Sequence, residues 1–403
     1  MNHSLLTTPD LLVNDAVVRA PIEGPIHVVH VFGTLMPGGA ERQALAIMRH
    51  SNGSRFRHSA INYWADENDI GPQFVAAGCP LHLLDKPSVS LPRFLWQLRS
   101  LLKRLRPDVV HAWLYAPSFW GRAAAILAGV PGIVASTRTS LAYTRWYEGF
   151  LDRLLSRRTQ VRIVNSQNVK SLLVDRVRLS PDLIEVIYNG VDPSRLVPSA
   201  DRPTLRTRLG WPADAPVLLC VGRLVAAKNY PMLFRVVLRL RERHPDMRSF
   251  IAGWGPLYDS LLAQREDMGL TGTVEFLNRR EDVADLMSAA DLFVSTSSTE
   301  GFSNALLEAM WLGLPVVTTR VSGAVEIVRD GLNGIIVDVD DDETMLSRIG
   351  GLLADQRLRQ RLAEQARTNV RERFTLEASV AAHENVYERV ARSAGRGRIA
   401  NRQ

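Results

Sequence analysis

Residues 291–319 read DLFVSTSSTEGFSNALLEAMWLGLPVVTT and contain the unit from which the fold is built. Two short, continuously apolar runs, at 292–295 and 315–318, enclose a segment of helical length. Ser303 is suited to cap that helix, because its hydroxyl can accept a hydrogen bond from an amide of the first turn. Strands without polar alternation are buried on both faces, which is typical of parallel sheets whose strands are joined by helices. The stretch therefore predicts a strand–helix–strand unit of an α/β protein.

The same alternation of apolar runs and helix-length segments extends through both halves of the chain. The other runs lie at 26–32, 109–111, 133–136, 161–165, 217–221, 249–252 and 334–337. At 403 residues the chain is longer than one hydrophobic core usually serves. We therefore predict two α/β domains, each built on a parallel sheet.

Turn signals concentrate between the two halves. Asn189-Gly190 and Asp192-Pro193 open a polar stretch that continues to Pro203. Near the end of the chain, apolar residues from Leu376 to Val390 recur at three- and four-residue spacing, which predicts an amphipathic helix. The predicted units are a flexible tail at 1–24, a first domain at 25–192, a second domain at 193–375, and a helix with a basic tail at 376–403.

The formal net charge of +7 is unevenly distributed. Between Arg93 and Lys170 the basic residues far outnumber the acids, which are only Asp108, Glu148 and Asp152. A face this basic can attract an anionic membrane surface or nucleic acid, or it can be a solvated surface without a partner. No nucleic-acid motif accompanies it, so we expect no nucleic-acid partner.

The chain carries no recognisable secretory or membrane-spanning signal. Its first twenty residues lack a basic start followed by a long apolar run. The longest uncharged apolar stretch, 123–135, is shorter than the ~20 residues that cross a bilayer. We predict a cytoplasmic protein, with peripheral attachment to the inner face of the cytoplasmic membrane left open by the basic face. Cys79 and Cys220 lie in apolar surroundings, which favours reduced core thiols.

Paired glycines follow the first predicted strand. Gly38 and Gly39 stand before a helix in the run from Met36 to Arg42. Lacking side chains, they let a ligand approach the backbone, and a helix N-terminus attracts anions. Turn geometry alone is the alternative reason for them. The run is not a G-x-G-x-x-G fingerprint, so dinucleotide binding is not predicted.

Two cations lie on the loop after the run 217–221. Arg223 and Lys228 are five residues apart. A guanidinium binds a pyrophosphate as a bidentate fork, and an ammonium acts as a point charge. The pair indicates a diphosphate site, with an ordinary charged surface loop as the alternative.

Two carboxylates frame the helix that starts at Ser303. Glu300 precedes it, and Glu308 lies about one and a half turns into it. Because this helix is apolar on nearly all sides, a charge at Glu308 needs a partner. The two carboxylates can hold sugar and ribose hydroxyls while backbone amides of the helix start meet a phosphate.

Together these motifs resemble one known family. Residues 300–310 (EGFSNALLEAM) and 313–317 (GLPVV) are similar to the E-x7-E signature of the retaining family-4 glycosyltransferases. Gly222-Arg223 with Lys228 resembles the diphosphate loop of that family, and residues 38–41 resemble its N-terminal glycine loop. Similarities at 188–192, 322–326 and 331–334 follow in the same order.

The resemblance implies a GT-B architecture, in which two Rossmann-like domains with parallel sheets face each other and a C-terminal helix crosses back. It implies that Arg223 and Lys228 neutralise the diphosphate of an NDP-sugar donor, that Glu300 contacts the donor sugar, and that Glu308 holds the ribose. The remaining expected donor contacts are Gly38, Gly39, Gly301, Phe302, Ser303 and Asn304. No metal or other cofactor is expected.

One position departs from the family pattern. Many relatives carry a second histidine two residues after the one aligned with His111, where this chain has Trp113. His111 ends a predicted strand and is a candidate catalytic residue, although a buried strand-end histidine fits equally well. Arg138 ends the next strand and is expected, with Trp113, to contact the acceptor; a structural salt bridge is the alternative for Arg138.

Asp338-Val339-Asp340 spells the D-x-D pattern that binds divalent metals in another glycosyltransferase architecture. It stands among Asp341, Asp342 and Glu343, and acids favour the start of a helix. We therefore predict a helix start here and no metal site.

These expectations add up to a hexosyltransferase-type enzyme that moves a sugar from an NDP-sugar to a hydroxyl acceptor with retention of configuration. A lipid-linked saccharide or another envelope or exopolysaccharide precursor is the expected acceptor. The alternatives are a nucleotide-sugar 2-epimerase or a phosphorylase of the same architecture, and a non-catalytic nucleotide-sugar-binding protein. An epimerase would act on the donor alone, a phosphorylase would need phosphate or a bound cofactor, and a binding protein would leave the donor intact.

Overall fold

The computed structural model describes residues 24–138 and 146–393. Two parallel sheets, each covered by helices on both faces, account for this part of the chain. The predicted α/β class with two Rossmann-like sheets is confirmed. The predicted tails lie outside the described residues, apart from Gly24, and the predicted domain boundaries stay predictions.

Seven described strands form the sheet of the first half. They are β1 (Ile26–Phe32), β2 (Phe56–Asn62), β3 (Leu81–Leu83), β4 (Val109–Ala112), β5 (Gly132–Thr137), β6 (Val161–Val164) and β7 (Ile184–Val186). The helices between them are α1 (Gly39–His50), α2 (Gly71–Ala76), α3 (Leu91–Leu105), α4 (Tyr115–Ala128), α5 (Trp146–Ser156) and α6 (Gln167–Asp175). The strands are parallel and ordered β3-β2-β1-β4-β5-β6-β7.

The second half repeats this plan with six described strands. They are β8 (Val217–Val221), β9 (Arg248–Ala252), β10 (Val274–Asn278), β11 (Leu292–Ser295), β12 (Val316–Thr319) and β13 (Ile335–Val337). The helices are α7 (Arg202–Leu209), α8 (Tyr230–Leu240), α9 (Tyr258–Asp267), α10 (Val283–Ala289), α11 (Asn304–Leu312), α12 (Ala324–Ile327), α13 (Asp342–Ala354) and α14 (Gln356–Arg373). The parallel order is β10-β9-β8-β11-β12-β13.

In both sheets the strand order reverses beside the first strand, between β1 and β4 and between β8 and β11. Loops on the two sides of such a switch point diverge, which opens a crevice at the carboxyl ends of the strands where ligands bind. The glycine loop follows β1, and the cation loop follows β8. The fold therefore brings both sequence motifs to switch points.

All nine apolar runs predicted as strands are strands, with ends displaced by no more than one residue. The prediction missed β2, β3, β7 and β10. Strand β2 contains Arg57, His58 and Ser59, so its composition concealed a strand whose residues are buried except Arg57. The other three lie at or next to sheet edges, where burial is incomplete and the apolar signal is weak.

The last helix, α15 (Leu376–Ser393), returns to the first domain, as the predicted crossover helix should. Val386, Tyr387 and Val390 join the core formed by β1, β4 and β5. The chain thus crosses between the domains twice, and the two crossings run side by side, with Val191 bridging Thr375. A Cβ on Gly190 would lie 2.5 Å from the Cα of Leu376, so glycine is required where they touch.

The basic segment is only partly an exposed surface, which corrects the sequence interpretation. Arg122 and Arg162 are each 1% exposed and share one carboxylate, that of Asp152. Arg138 is also buried, and Trp120 is half-buried. The exposed basic residues lie mainly on α3 and on or just after α5: Arg93, Lys103, Arg104, Arg153, Arg157 and Arg158.

None of the described helices is both long and apolar enough to cross a membrane. Both cysteines, Cys79 and Cys220, are buried and unpaired, and burial raises the pKa of each thiol to about 12. The cysteines are therefore core residues, as predicted.

Candidate active site

The glycine loop after β1 touches the second domain. Gly38 precedes α1 in an extended conformation with φ −116°, so its role is not a left-handed turn. A Cβ on Gly38 would collide with the carboxylate of Glu41, and one on Gly39 would lie 3.1 Å from the side-chain nitrogen of Asn304. Asn304 also donates a hydrogen bond to the Gly39 carbonyl at 3.1 Å. Gly39 is therefore constrained by close approach across the cleft, and Gly38 by the Glu41 side chain of the following helix.

The two cations of the β8 loop have different surroundings. Lys228 forms an ion pair with Glu300, and the Ser297 hydroxyl donates to the same carboxylate at 3.3 Å. Arg223 is exposed, and no ion pair to it occurs within the described residues. Its charge nevertheless lowers the pKa of Glu41 on α1 of the first domain. The structure thus brings Arg223, Lys228 and Glu300 together at one switch point.

The start of α11 lies beside this cation cluster. Ser303 caps the helix as predicted, because its hydroxyl accepts a hydrogen bond from the Leu306 amide at 3.4 Å. Phe302 is 5% exposed and packs on Tyr188, with ring centres 5.3 Å apart, so only its backbone can face the cleft. A Cβ on Gly323 would lie 2.6 Å from the Cα of Phe302. The loop before α12 therefore supports the helix start from behind.

Glu308 lies on the wall of a cavity of about 200 Å³ between the domains. Other residues that line it are Arg42, Gln43, Arg195, Glu281 and Asn304. Burial raises the pKa of the Glu308 carboxyl to about 7, and the charge of Arg195 opposes that rise. Within the described residues no ion pair holds this carboxylate. It can therefore accept hydrogen bonds from ligand hydroxyls that enter the cavity.

The structure corrects the expected roles of His111 and Trp113. His111 has no exposed surface, and its ring nitrogens lie 2.8 Å from the Tyr387 hydroxyl and 2.6 Å from the Ser136 hydroxyl. Trp113 is equally buried and donates its indole N–H to His30 at 2.9 Å. With no surface free and their polar atoms satisfied in the core, neither residue can contact a donor or an acceptor.

These two residues belong to a buried network beneath the cleft. Because Nδ1 of His30 accepts from Trp113, its Nε2 carries the proton and donates to His58 at 2.9 Å. His383 donates from Nδ1 to the Ser379 carbonyl at 2.7 Å. Burial lowers the pKa of His58 to about 4 and that of His383 to about 3. The network is therefore neutral and structural.

Arg138 lies at the seam between the domains. It donates to the Asn189 side chain at 2.5 Å, and Asn189 donates to Asn304 at 2.6 Å. A second nitrogen of the guanidinium is 3.3 Å from Nε2 of His383, and the group lies 4.6 Å from a Trp113 ring centre. Within the described residues Arg138 forms no salt bridge, so the salt bridge considered as the alternative to an acceptor contact is not observed.

Sequence reasoning missed several residues that line or close the cleft. Gln43 bonds both backbone groups of Gly190, at 2.7 and 3.1 Å. Glu326 accepts hydrogen bonds from the amides of Gln167 and Asn168 at the start of α6, at 3.0 and 3.2 Å. Glu41 is 6% exposed. Glu41 lies in the glycine run and Gln43 follows it directly, so their position beside that motif could have marked them as site residues. Nothing in the sequence indicates that Glu326 contacts α6.

The acidic cluster after β13 starts a helix, as predicted. Asp341 caps α13, accepting a hydrogen bond from the Thr344 amide at 3.0 Å. Asp338 pairs with Arg320 at 2.6 Å. Across the described ranges no group of three or more His, Cys, Asp or Glu side chains is arranged to hold a metal ion.

Two family models match this chain, one in each half. The family model described as Glycosyltransferase Family 4 matches residues 37–195, and that described as Glycosyl transferases group 1 matches residues 201–369. The chain is 33% identical over 298 residues to the lipopolysaccharide core biosynthesis glycosyltransferase LpsE of Rhizobium meliloti, covering 72% of this chain and 79% of that relative. The chain belongs to the family-4 glycosyltransferases.

Another relative of this family-4 glycosyltransferase and a solved structure support the same assignment. The chain is 28% identical over 311 residues to a Campylobacter jejuni enzyme named as an N-acetylgalactosaminyltransferase acting on a diphospho-undecaprenol-linked saccharide, covering 73% and 82% of the two chains. The solved structure of Anabaena HepE with UDP and glucose has a TM-score of 0.80 at 22% identity, covering 89% and 98%. The GT-B architecture is confirmed, and the protein is a glycosyltransferase that uses a nucleotide-sugar donor.

Proposed function

We propose that this family-4 glycosyltransferase moves a hexosyl group from an NDP-sugar to a hydroxyl of a lipid-linked envelope saccharide, with retention and without a metal ion. The observation that supports this most is the cation cluster at the β8–β11 switch point. There Lys228 is held by Glu300 beside an exposed Arg223, next to the amides that start α11.

These groups suit the departure of a nucleoside diphosphate. Positive charges and amide dipoles that are already in place stabilise the anion as it forms, because they need no reorganisation. Arg223 binds the diphosphate as a fork, Lys228 adds a point charge, and Glu308 accepts hydrogen bonds from the ribose. Arg223 and Lys228 supply the charge that a metal ion would otherwise supply.

Retention follows if departure and attack use the same face of the sugar. The bond from C1 to the diphosphate oxygen breaks, the acceptor oxygen bonds to C1, and the hydroxyl proton passes to the diphosphate. Glu300 is engaged by Lys228 and Ser297, which favours an orienting role over that of a nucleophile.

The acceptor class is supported by the names of the relatives and by the exposed basic residues on α3 and on or just after α5. One relative acts in lipopolysaccharide core biosynthesis and another on an undecaprenyl-linked saccharide. Exposed arginines beside apolar side chains would hold the first domain at an anionic membrane, where such acceptors lie.

A two-step assay tests the proposal. Thermal shift with a panel of NDP-sugars identifies the donor, because a ligand that binds the native state raises its melting temperature. Transfer is then measured to octyl glycosides and to undecaprenyl-diphosphate saccharides, and NMR assigns the new anomeric centre. Inversion at that centre, or release of free sugar isomers from the donor alone, would refute the proposal.

A chelation experiment tests the metal-independent part. Activity should survive excess EDTA, and the double variant Asp338→Ala/Asp340→Ala should transfer sugar at the wild-type rate, because Asp338 already pairs with Arg320 and Asp340 with Asn229. Activity that is lost on chelation and restored by magnesium or manganese would contradict it.

A further inference from the structure

Glu41 is a buried acid that the donor site does not use. It lies in the first turn of α1 against Gly38 and is 6% exposed. Within the described residues, the only hydrogen bond to its carboxylate comes from its own amide. A carboxylate that is removed from water with only one hydrogen bond and no ion pair is costly, so its position at a ligand crevice points to a ligand.

The charges that face Glu41 come from both domains. Arg223 approaches from the β8 loop, and Arg138 approaches from the end of β5; both lower the pKa of the carboxyl. Burial outweighs them and raises that pKa to about 7. The carboxylate therefore lies near the diphosphate cation without being paired to it, on the first-domain side of the cleft.

Arg138 has one hydrogen-bond donor without a partner among the described residues. Two of its nitrogens bind Asn189 and His383, whereas its buried Nε has no hydrogen-bond partner among the residues that the structure describes. Hydrogen bonds connect the glycine loop before Glu41 to Arg138: Asn304 bonds both the Gly39 carbonyl and Asn189, and Asn189 bonds Arg138. The charges of Glu41 and Arg138 also affect each other's pKa. A sugar hydroxyl satisfies both, since it donates to a carboxylate and accepts from an N–H.

We propose that Glu41 and Arg138 form the subsite for a hydroxyl of the acceptor saccharide. An anion in this place would be repelled by Glu41 and an ammonium by Arg138, so a neutral hydroxylated ligand fits best. The subsite rests on the proposed function, because it assumes that the donor occupies the Arg223 side of the cleft and leaves this wall to the acceptor.

A structural role for Glu41 is the competing explanation. An acid in the first turn of a helix interacts favourably with the helix dipole, and this would stabilise α1 without any ligand. The two explanations differ in their kinetic consequences. A dipole role affects the melting temperature alone, whereas an acceptor contact affects acceptor kinetics and leaves donor binding unchanged.

The test compares Glu41→Gln with Asp259→Asn, which removes an exposed first-turn acid from α9, remote from the cleft. Measured quantities are kcat and KM for the acceptor that the wild-type protein uses, the Kd of the donor alone, and donor hydrolysis without acceptor. Loss of a hydrogen bond to a charged group should lower acceptor kcat/KM by ~10–100-fold. Donor Kd and hydrolysis should stay at wild-type values, and Asp259→Asn should match the wild type in all of them.

Arg138→Lys keeps the charge but removes Nε–H, and it should lower acceptor kcat/KM in the same way. The double variant Glu41→Gln/Arg138→Lys should have an acceptor kcat/KM little lower than that of either single variant, because both groups hold one hydroxyl. Unchanged acceptor kinetics in Glu41→Gln, a parallel loss of donor affinity, or fully additive losses would overturn the subsite. Failure of the wild-type protein to transfer sugar would instead count against the proposed function. If Glu41→Gln does not fold, the loss in Arg138→Lys decides the question.

Discussion

At the scale of single residues, the two carboxylates of the E-x7-E segment have opposite environments. Glu300 is neutralised by Lys228, whereas Glu308 has a pKa raised to about 7 by burial. The first is held in place by a cation before any ligand arrives. The second becomes a better hydrogen-bond acceptor as it ionises, so its contribution to donor binding should depend on pH.

Affinity for an intact NDP-sugar should therefore increase from about pH 6 to about pH 8, as Glu308 loses its proton. Glu308→Gln should weaken binding at pH 8 and remove this dependence. Because the folded pKa lies above the unfolded value of 4.5, the carboxyl costs stability as pH rises from 4.5 to about 7, and this cost is fully present at pH 8. The Gln variant should accordingly melt at a higher temperature than the wild type at pH 8. Titration calorimetry and thermal melts measure both effects; an equal pH slope in wild type and variant would contradict the assignment.

Arg223→Ala should reduce turnover by ~10²–10³-fold, because a charge-assisted contact to the departing diphosphate is lost. Its melting temperature should stay at the wild-type value, since Arg223 is exposed and has no ion pair within the described residues. Arg243→Ala, an exposed arginine after α8, is the matched control. Wild-type turnover in both Arg223→Ala and Lys228→Ala would end the assignment of a diphosphate site.

At the scale of elements, α5 presents an unusual outer face. Phe150 and Leu154 are 61% and 48% exposed. Arg153 shares this face with them, because residues three and four apart along a helix are neighbours, and the exposed Arg157 and Arg158 follow directly after the helix end. Trp96 on α3 is 64% exposed, whereas the side chain of Trp146 lies outside the described residues. Apolar side chains ringed by arginines are typical of helices that lie on anionic membranes.

The first domain should therefore bind vesicles that contain anionic lipid, more weakly at high salt, and bind neutral vesicles less. Each basic residue near the surface adds ~1 kcal/mol of attraction, which salt screens over ~10 Å. Changing Arg153, Arg157 and Arg158 to Gln, or Phe150 and Leu154 to Ser, should abolish flotation with the vesicles. The same number of Gln substitutions at exposed arginines of α14 is the control. Absence of binding even at low salt would leave the solvated-surface alternative.

At the scale of the whole molecule, the first domain depends on a helix from the end of the chain. Helix α15 contributes Tyr387 and His383 to a core in which His30, His58 and His111 are also buried. The folded protein keeps these histidines neutral, and burial lowers the pKa of His58 and of His27 to about 4. Low pH should therefore weaken the packing of α15 against the first domain.

Stability should be full above the unfolded histidine pKa of about 6.5 and should decrease as pH falls from there toward about 4, because the unfolded chain binds more protons. Urea unfolding at a series of pH values measures this decrease. His58→Gln should reduce the slope, since glutamine can still accept from His30 but does not titrate. The exposed His50→Gln should leave the slope unchanged. Stability that is independent of pH over this interval would contradict the account.

The sequence by itself determined the fold class, nine of the strands and the cation and carboxylate motifs. It could do so because a strand covered on both faces must be apolar throughout, and because the loops on the two sides of a switch point border the same crevice. Arg223, Lys228, Glu300 and Ser303 lie together for that reason.

Only the tertiary structure decided which polar residues are available to a ligand. His111 was a candidate for catalysis until α15 placed the hydroxyl of Tyr387, 276 residues later, against its ring. Arg122 and Arg162 counted toward a basic face until α5 placed Asp152 between them. Glu41 is buried within reach of the charges of Arg138 and Arg223, which belong to different domains and both lower its pKa. Burial and charge compensation are set by which distant elements pack together, and local spacing along the chain carries no record of that.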